Sequence, residues 1–322
     1  MKLIDDLPPV VSTKQNFDDL LFPPDHPGRS VHDSYYLNQT HLLRTHTSAH
    51  QTQSLRAGHP NFLLLADCYR RDEIDASHYP VFHQMEGFRS FNVDKLTPVT
   101  SPPPTWTPAK NPKQACHDLH IMQAVAADLT TTLEGMCKFL FGPQVQFRWN
   151  DDYFPFTAPS WELEVLYQGK WMEVLGSGVV QQPIMNHATG AALMGAESPD
   201  KVVGWAFGLG LERLAMVMFG IPDIRLFWST DPRFLDQFKN VDPTDPKSLV
   251  RFKPFSAFPP CYKDLAFWIP KGEFVENALF DLVRDVAGDL VENVVKVDTF
   301  VHPRRVGSRG ASASCIGAWT AV

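Results

Sequence analysis

The sequence predicts an α+β fold, an antiparallel sheet flanked by helices and followed by a small, partly built α/β appendage. Three patterns predict it. An apolar run at 62–66 and an extended stretch at 82–88 flank a polar, turn-rich segment, which reads as strand, long loop and antiparallel return strand. Residues 161–167 and 171–175 alternate on either side of a turn made by Gln168, Gly169 and Lys170. Between these pairs Leu119, Met122, Ala126, Leu129, Leu133, Met136 and Leu140 recur at helical spacing up to Gly142, with Asn111 and Pro112 as N-cap and first helical position.

Length and composition bound the function. A chain of 322 residues holds one large domain with an appendage, or two domains, and can bury a substantial core. Its apolar runs are only a few residues long, so no membrane span is expected. A net charge of -7 argues against a generally sticky nucleic-acid binder, so any RNA contact must come from a local patch. Five scattered cysteines, with no CxxC pair and no HExxH, read as reduced thiols and no structural zinc. The first residues, MKLIDDLPPVV, carry neither a signal-peptide core nor an Arg/Ser-rich transit segment.

The densest chemistry lies at residues 67–88, DCYRRDEIDASHYPVFHQMEGF. Arg70 and Arg71 end the first strand; on the return strand Phe82, Gln84, Glu86 and Phe88 share one face. A guanidinium grips phosphate and a carboxylate takes an ammonium, so the set suits a ligand bearing both. Locally, a hairpin with a salt-bridged rim explains it as well. Upstream, Ser48 and Gln51 have the spacing of a capping box, with Gly58 as the helix stop; a helix N-terminus there also favours an anionic group. Phe154 and Phe156 flank a proline and suit either core or pocket. Glu173 reads as an exposed strand residue, and Glu162 and Glu164 as a solvated edge. Residues 204–216, GWAFGLGLERLAM, read as a strand, a Gly-Leu-Gly turn and a helix from Leu211. They lack the third glycine of a dinucleotide fingerprint. Arg213 stands in the first helical turn against the helix dipole, which hints at function. Residues 181–201 are expected to be a long irregular loop and 239–250 a linker. In the appendage, 252–258, 264–269 and 295–301 are expected strands, 276–291 an amphipathic helix, and 304–322 an irregular tail.

YRRD followed by HYPVFHQMEG resembles motif 2 of the class II aminoacyl-tRNA synthetases, in the single-chain organellar phenylalanine form; 204–216 resembles motif 3, and Pro9 the proline that ends motif 1. The resemblance runs from about Leu7 to Pro303. It implies a catalytic domain at 1–238 with motif 1 incomplete, the linker, and a partial ferredoxin-like anticodon-binding domain at 251–303, both ends reading as truncated or altered against the family pattern. It further implies that Ser48, His50, Gln51, Gln84 and Glu86 contact substrate phenylalanine, the last two through its ammonium, while Phe154, Phe156 and Ala206 shape the ring pocket. Arg70 would hold the α-phosphate of ATP, Arg213 its tail and Phe207 its adenine. His78 and Tyr79 would lie near ATP, and Glu173 near the phosphates and their Mg2+. The implied partners are ATP, L-phenylalanine and tRNA(Phe), with a monomer working in the mitochondrial matrix or a plastid. Two other readings compete: a synthetase-like binding protein with impaired tRNA charging, and an adenylating ligase for another carboxylic acid.

Overall fold

The computed structural model describes residues 1–97, 99, 103, 106–167, 169–188, 193–242, 245, 248–255, 261–267, 274–297 and 318–321. The chain divides into two compact units. The first holds residues 1–29, 36–69 and 81–217, the second 30–35, 70–80 and 218–322.

The first unit opens with β1 (Lys2–Ile4), β2 (Val10–Ser12), α1 (Thr13–Asn16), β3 (His41–Leu43) and α2 (Gln51–Arg56). The strand pair β4 (Asn61–Tyr69) and β5 (Val81–Asn92) follows, then α3 (Leu119–Phe141). Next come β6 (Gln146–Asp152), β7 (Thr157–Tyr167), β8 (Lys170–Val180), α4 (Gln182–Ala188), β9 (Val202–Gly210) and α5 (Leu211–Phe219). Seven strands form one sheet in the order β1-β4-β5-β9-β8-β7-β6. Only the β1–β4 pair within it is parallel. The expected antiparallel sheet with flanking helices is therefore present, and the strands run longer than the apolar runs suggested. On one face α3 lays Met122, Val125, Ala126, Leu129 and Leu133 against Trp161, Leu163, Val165, Trp205 and Leu209. Burying such side chains stabilises by roughly 1.5–3 kcal/mol each. The other face carries Phe62, Leu64, Phe88, Val180 and Ala206 with Ile184 and Met185 of α4.

Several local expectations change. Helix α3 starts at Leu119 with Asp118 as its N-cap, accepting from the backbone N–H of His120 and Ile121. Asn111 instead spends its amide on Asp151 and the Ser160 carbonyl, tying the preceding loop to β6 and β7. Residues 182–188, expected as loop, are α4, whose Ile184, Met185 and Ala188 are buried. The side chain of Gln182 reaches the carbonyls of Pro199 and Val202 and so closes this excursion on itself. Residues 189–192 lie outside the described residues. Tyr36 makes a single antiparallel bridge to Leu42.

The second unit contains α6 (Pro232–Leu235), β10 (Cys261–Asp264), α7 (Glu276–Ala287), β11 (Val291–Val295) and β12 (Ala318–Ala321). Strand order is β10-β12-β11, with β12 antiparallel to both neighbours. Two strands joined through a helix and parted by an inserted strand form the split βαβ arrangement of ferredoxin-like folds. Within the tail expected to be irregular, residues 318–321 form β12, because backbone pairing on both sides holds a segment with no strand periodicity of its own, while 304–317 and 322 lie outside the described residues. The expected strand at 252–258 is not a strand over 252–255, where the Phe252 N–H donates to the Phe219 carbonyl and the Lys253 N–H to the Gln237 side chain, and its remainder lies outside the described residues. Of the other two, strands fall at Cys261–Asp264 and Val291–Val295, where pairing partners exist; 265–267 and 296–297 are not strand, and 268–269 and 298–301 lie outside the described residues. The unit's core is Ile74, Phe280, Val283, Val291 and Val294.

Candidate functional site

Cross-strand register decides which side chains share a face. Glu86 of β5 stands opposite Gly208 of β9, and Gly208 opposite Gly176 of β8; one step along, Phe88, Ala206 and Gly178 form the next row. This face is thus a trough floored by glycine and alanine, with a carboxylate on its wall. Gly208 has nothing within 4 Å of where a Cβ would sit, whereas a Cβ on Gly176 would come within 2.7 Å of the Phe154 ring. Phe154 therefore lies over Gly176. Phe156 stacks beside it at 5.7 Å, and Phe22 stacks on Phe156 at 5.8 Å and on His46 at 5.6 Å.

Glu86 is 1% exposed. It accepts hydrogen bonds from the Ser48 hydroxyl at 2.7 Å, the Thr47 hydroxyl at 3.0 Å and the Gln51 amide at 2.6 Å. Burial pushes its carboxyl above the ordinary glutamate range against these three bonds. The Gln84 amide oxygen accepts from the Thr47 backbone N–H, and the buried Oε1 of Gln51 has no hydrogen-bond partner among the described residues. A buried carboxylate beside two amide oxygens is a set of acceptors that suits a cationic donor. Ser48 and Gln51 do not form the expected capping box. Residues 47–50 make a 3-10 turn without a side-chain cap, and α2 begins only at Gln51, since both side chains are turned to Glu86.

His50 spends its ring on neighbours: its Nε2 accepts from Arg44 at 3.0 Å and its Nδ1 faces Gln53 at 3.3 Å. Burial first, and the Arg44 cation with it, keep this imidazole below its usual range despite the Gln53 contact. Arg44, 1% exposed, also donates to the Leu7 and Pro8 carbonyls and to Asp67, so it builds the wall behind the 45–51 turn. Phe207 departs from its expected place. Strand alternation turns it away from Ala206 and Gly208 into the α3-side core, its ring lying where a Cβ on Gly87 would come within 2.2 Å. It is therefore not available on the trough face. Phe82 is: half-buried, it shares the face of Gln84 and Glu86.

Arg213 roots beside Gly210, the partner of Gln84, and donates to Glu173 at 3.1 Å. A register shift between Leu163 and Glu164 makes Glu173 pair with Glu164 while Glu162 pairs with Gly176. This bulge brings Glu173 onto the trough face with Glu162. Burial, then the charges of Glu173 and Asp152, raise the Glu162 carboxyl above its ordinary range, so Glu162 and Glu173 sense one another on one face.

Arg70, His78 and Tyr79 belong to the second unit. The backbone N–H of Arg70 donates to the Pro80 carbonyl, extending the hairpin by one rung. His78 Nδ1 lies 2.8 Å from Asp75, and Glu73, Asp75 and His78 hold their ligand atoms within 4.8 Å of one another. The Tyr79 ring stacks on Trp228 at 5.4 Å and its hydroxyl donates to Asp289; burial, with that acid, pushes the phenol up to about 12.

The structure thus brings together Ser48, Gln51, Gln84, Glu86, Phe154, Phe156 and Ala206, with Arg213 and Glu173 on the same face. Thr47, His46, Phe22, Phe82 and Glu162 were missed. Of these, Phe82 and Thr47 had a sequence signal, the first by alternation and the second as a hydroxyl beside Ser48; Glu162 required the bulge.

A seven-stranded antiparallel sheet with one parallel edge strand and a carboxylate-walled trough defines the class II tRNA synthetase core. The family model described as "tRNA synthetases class II core domain (F)" matches residues 3–98 and 120–238. Curated relatives narrow the match. A mitochondrial phenylalanine–tRNA ligase of Mus musculus is 48% identical over 93% of this chain and 65% of its own length. A probable mitochondrial phenylalanine–tRNA ligase of Drosophila melanogaster is 43% identical over 97% of this chain and 70% of its own. The chloroplastic/mitochondrial phenylalanine–tRNA ligase of Arabidopsis thaliana is 49% identical over 94% and 62%. The chain belongs to the class II tRNA synthetases, in the family of the mitochondrial phenylalanine–tRNA ligases. It spans 62–70% of the length of these three relatives.

Proposed function

We propose that this chain activates L-phenylalanine with ATP and transfers the aminoacyl group to tRNA(Phe) in organellar protein synthesis, working as a monomer in mitochondria or plastids. The observation that carries the reading is the buried Glu86 with its ring of neutral donors, one strand pairing from an open glycine trough and walled by Phe154 and Phe156. The substrate ammonium would neutralise Glu86 and supply the N–H groups that Gln84 and Gln51 accept. The aromatic ring would lie along Gly208 and Ala206 against the two phenylalanines, a setting that favours aromatic pairs. The names of the relatives support the same substrate.

The chemistry needs no side-chain nucleophile. The substrate carboxylate attacks the α-phosphate, pyrophosphate leaves, and a tRNA hydroxyl then displaces AMP. Positioning and charge neutralisation carry such steps. Arg70 would take the α-phosphate, Arg213 the ATP tail, His78 and Tyr79 the nucleotide's neighbourhood, and Phe82 offers the adenine the ring that Phe207 does not. Glu173 and Glu162, hard carboxylate ligands that already share one face, fit Mg2+. That ion, when bound, would neutralise charge on the phosphates. No helix among the described residues is long and apolar enough to cross a membrane.

Amino-acid-dependent ATP–pyrophosphate exchange tests the reading. Exchange with phenylalanine and not with tyrosine or leucine is expected; no exchange above the amino-acid-free background with phenylalanine overturns it.

A further inference from the structure

The β5–β9 ladder ends at Gln84 and Gly210, because the chain turns into α5 at Leu211. The next backbone N–H on β5, that of His83, has no strand left to meet. It donates to Glu212 Oε2 at 2.8 Å, and the His83 ring presents Nδ1 to Glu212 Oε1 at 2.6 Å. Both oxygens of one carboxylate thus close the end of a strand. That carboxylate sits in the first turn of α5, where the helix dipole favours it, and its residue is only 7% exposed. The roles proposed above leave this buried acid unused. Its two neighbours in sequence are what such a clasp would align: Gln84 follows His83 on the trough face, and Arg213 follows Glu212.

We propose that Glu212 is a positioning residue which, by clasping His83, fixes the spacing between the ammonium-binding strand and the ATP-binding Arg213. The proposal rests on the reading of Arg213 as an ATP ligand. Loosening the first turn of α5 while β9 keeps its register with β5 would displace the Arg213 guanidinium, so the loss is expected to fall on ATP.

The test is pyrophosphate exchange on the full chain with separate titrations of ATP and phenylalanine. Glu212→Ala is expected to raise KM for ATP about tenfold or more while KM for phenylalanine stays within about twofold. Glu212→Gln keeps an oxygen for the His83 N–H and is expected to recover most of the loss. His83→Ala removes one of the two bonds and is expected to give a smaller rise of about threefold. Its side chain is 44% exposed, so it carries the test if Glu212→Ala fails to fold. In a double-mutant cycle, Glu212→Ala adds nothing on top of Arg213→Ala if it acts through that arginine. An unchanged KM for ATP in His83→Ala and Glu212→Ala overturns the proposal, and so do losses that multiply with Arg213→Ala. A parent chain with no phenylalanine-dependent exchange overturns the functional reading and this inference with it, whereas exchange in the parent with an unchanged KM for ATP in the variants overturns this inference alone.

Discussion

Glu86 is held by two hydroxyls and an amide, none of them cationic, and burial raises its carboxyl above the ordinary range. The sign of the consequence follows from proton binding. An unfolded chain releases this proton in the ordinary glutamate range, about 4.3, whereas the folded chain holds it to higher pH. The folded state therefore binds more protons in that window, and the contribution of Glu86 to stability falls as pH rises through it. Glu86→Gln is expected to raise Tm at neutral pH by a few degrees, to bring no gain below about pH 4, and to abolish phenylalanine-dependent exchange. Melts at several pH values check it; a neutral-pH Tm at or below the parent's would show that the carboxylate is already compensated. Ala206 lies at the deep end of the same trough, opposite Phe88 and Gly178 and 5% exposed. Removing its methyl group frees about one carbon of space in a close-packed wall. Ala206→Gly is expected to admit para-chlorophenylalanine in the exchange assay, and unchanged discrimination against that analogue would displace Ala206 from the pocket.

The strands divide their glycines between two duties. Gly87 faces the α3 side and makes room for the Phe207 ring, which a Cβ would meet at 2.2 Å; Gly208, one row further on β9, faces open space. Gly87→Ala is expected to cost about 1–3 kcal/mol of stability through overpacking. Gly208→Ala is expected to keep or improve stability, since alanine suits the strand better, and to raise KM for phenylalanine by filling the trough. Denaturant melts and exchange kinetics on both variants check the contrast; similar stabilities for the two would refute the face assignment. The same alternation explains what the sequence made legible. Period-two spacing alone puts Gln84 and Glu86 on one face, and it also separates Ala206 from Phe207, so alternation opposes the adenine role expected of Phe207. Ser48 and Gln51 were ambiguous because capping and ligand contact use the same hydroxyl and amide at the same spacing. His50 and His46 look alike in the sequence; the first is held by Arg44 six residues away, and the second stacks on Phe22 from distant sequence. The face of Glu173 depends on a bulge, and the start of α3 on the tertiary bonds of Asn111, neither of which local propensity encodes.

At the scale of the whole chain, the first unit holds the proposed phenylalanine contacts, while Arg70, His78 and Tyr79 fall in the second. Within that second unit the 70–80 segment is not a free loop. Ile74 is 5% exposed in the cluster with Phe280, Val283, Val291 and Val294, and its carbonyl accepts from the Val294 N–H at 3.0 Å. Ala76 accepts from Ile224, Asn277 donates to the Arg71 carbonyl, and Arg71 pairs with Asp281 at 3.2 Å. The loop that carries three proposed ATP contacts is therefore packed against α7 and β11. A core of five residues is small, so truncating one of them removes a large part of it. Phe280→Ala is expected to cost about 3–5 kcal/mol locally. Three outcomes follow: faster proteolysis of residues 218–297, an unchanged far-ultraviolet signature for the seven-stranded sheet, and a rise in KM for ATP of about threefold to tenfold with KM for phenylalanine little altered. The contrast between the two KM values is the informative quantity, because general unfolding lowers the active fraction and leaves both unchanged. Faster proteolysis with an unchanged KM for ATP would show that the 70–80 segment keeps its conformation without the α7 core, and would detach the ATP contacts from the packing of the second unit.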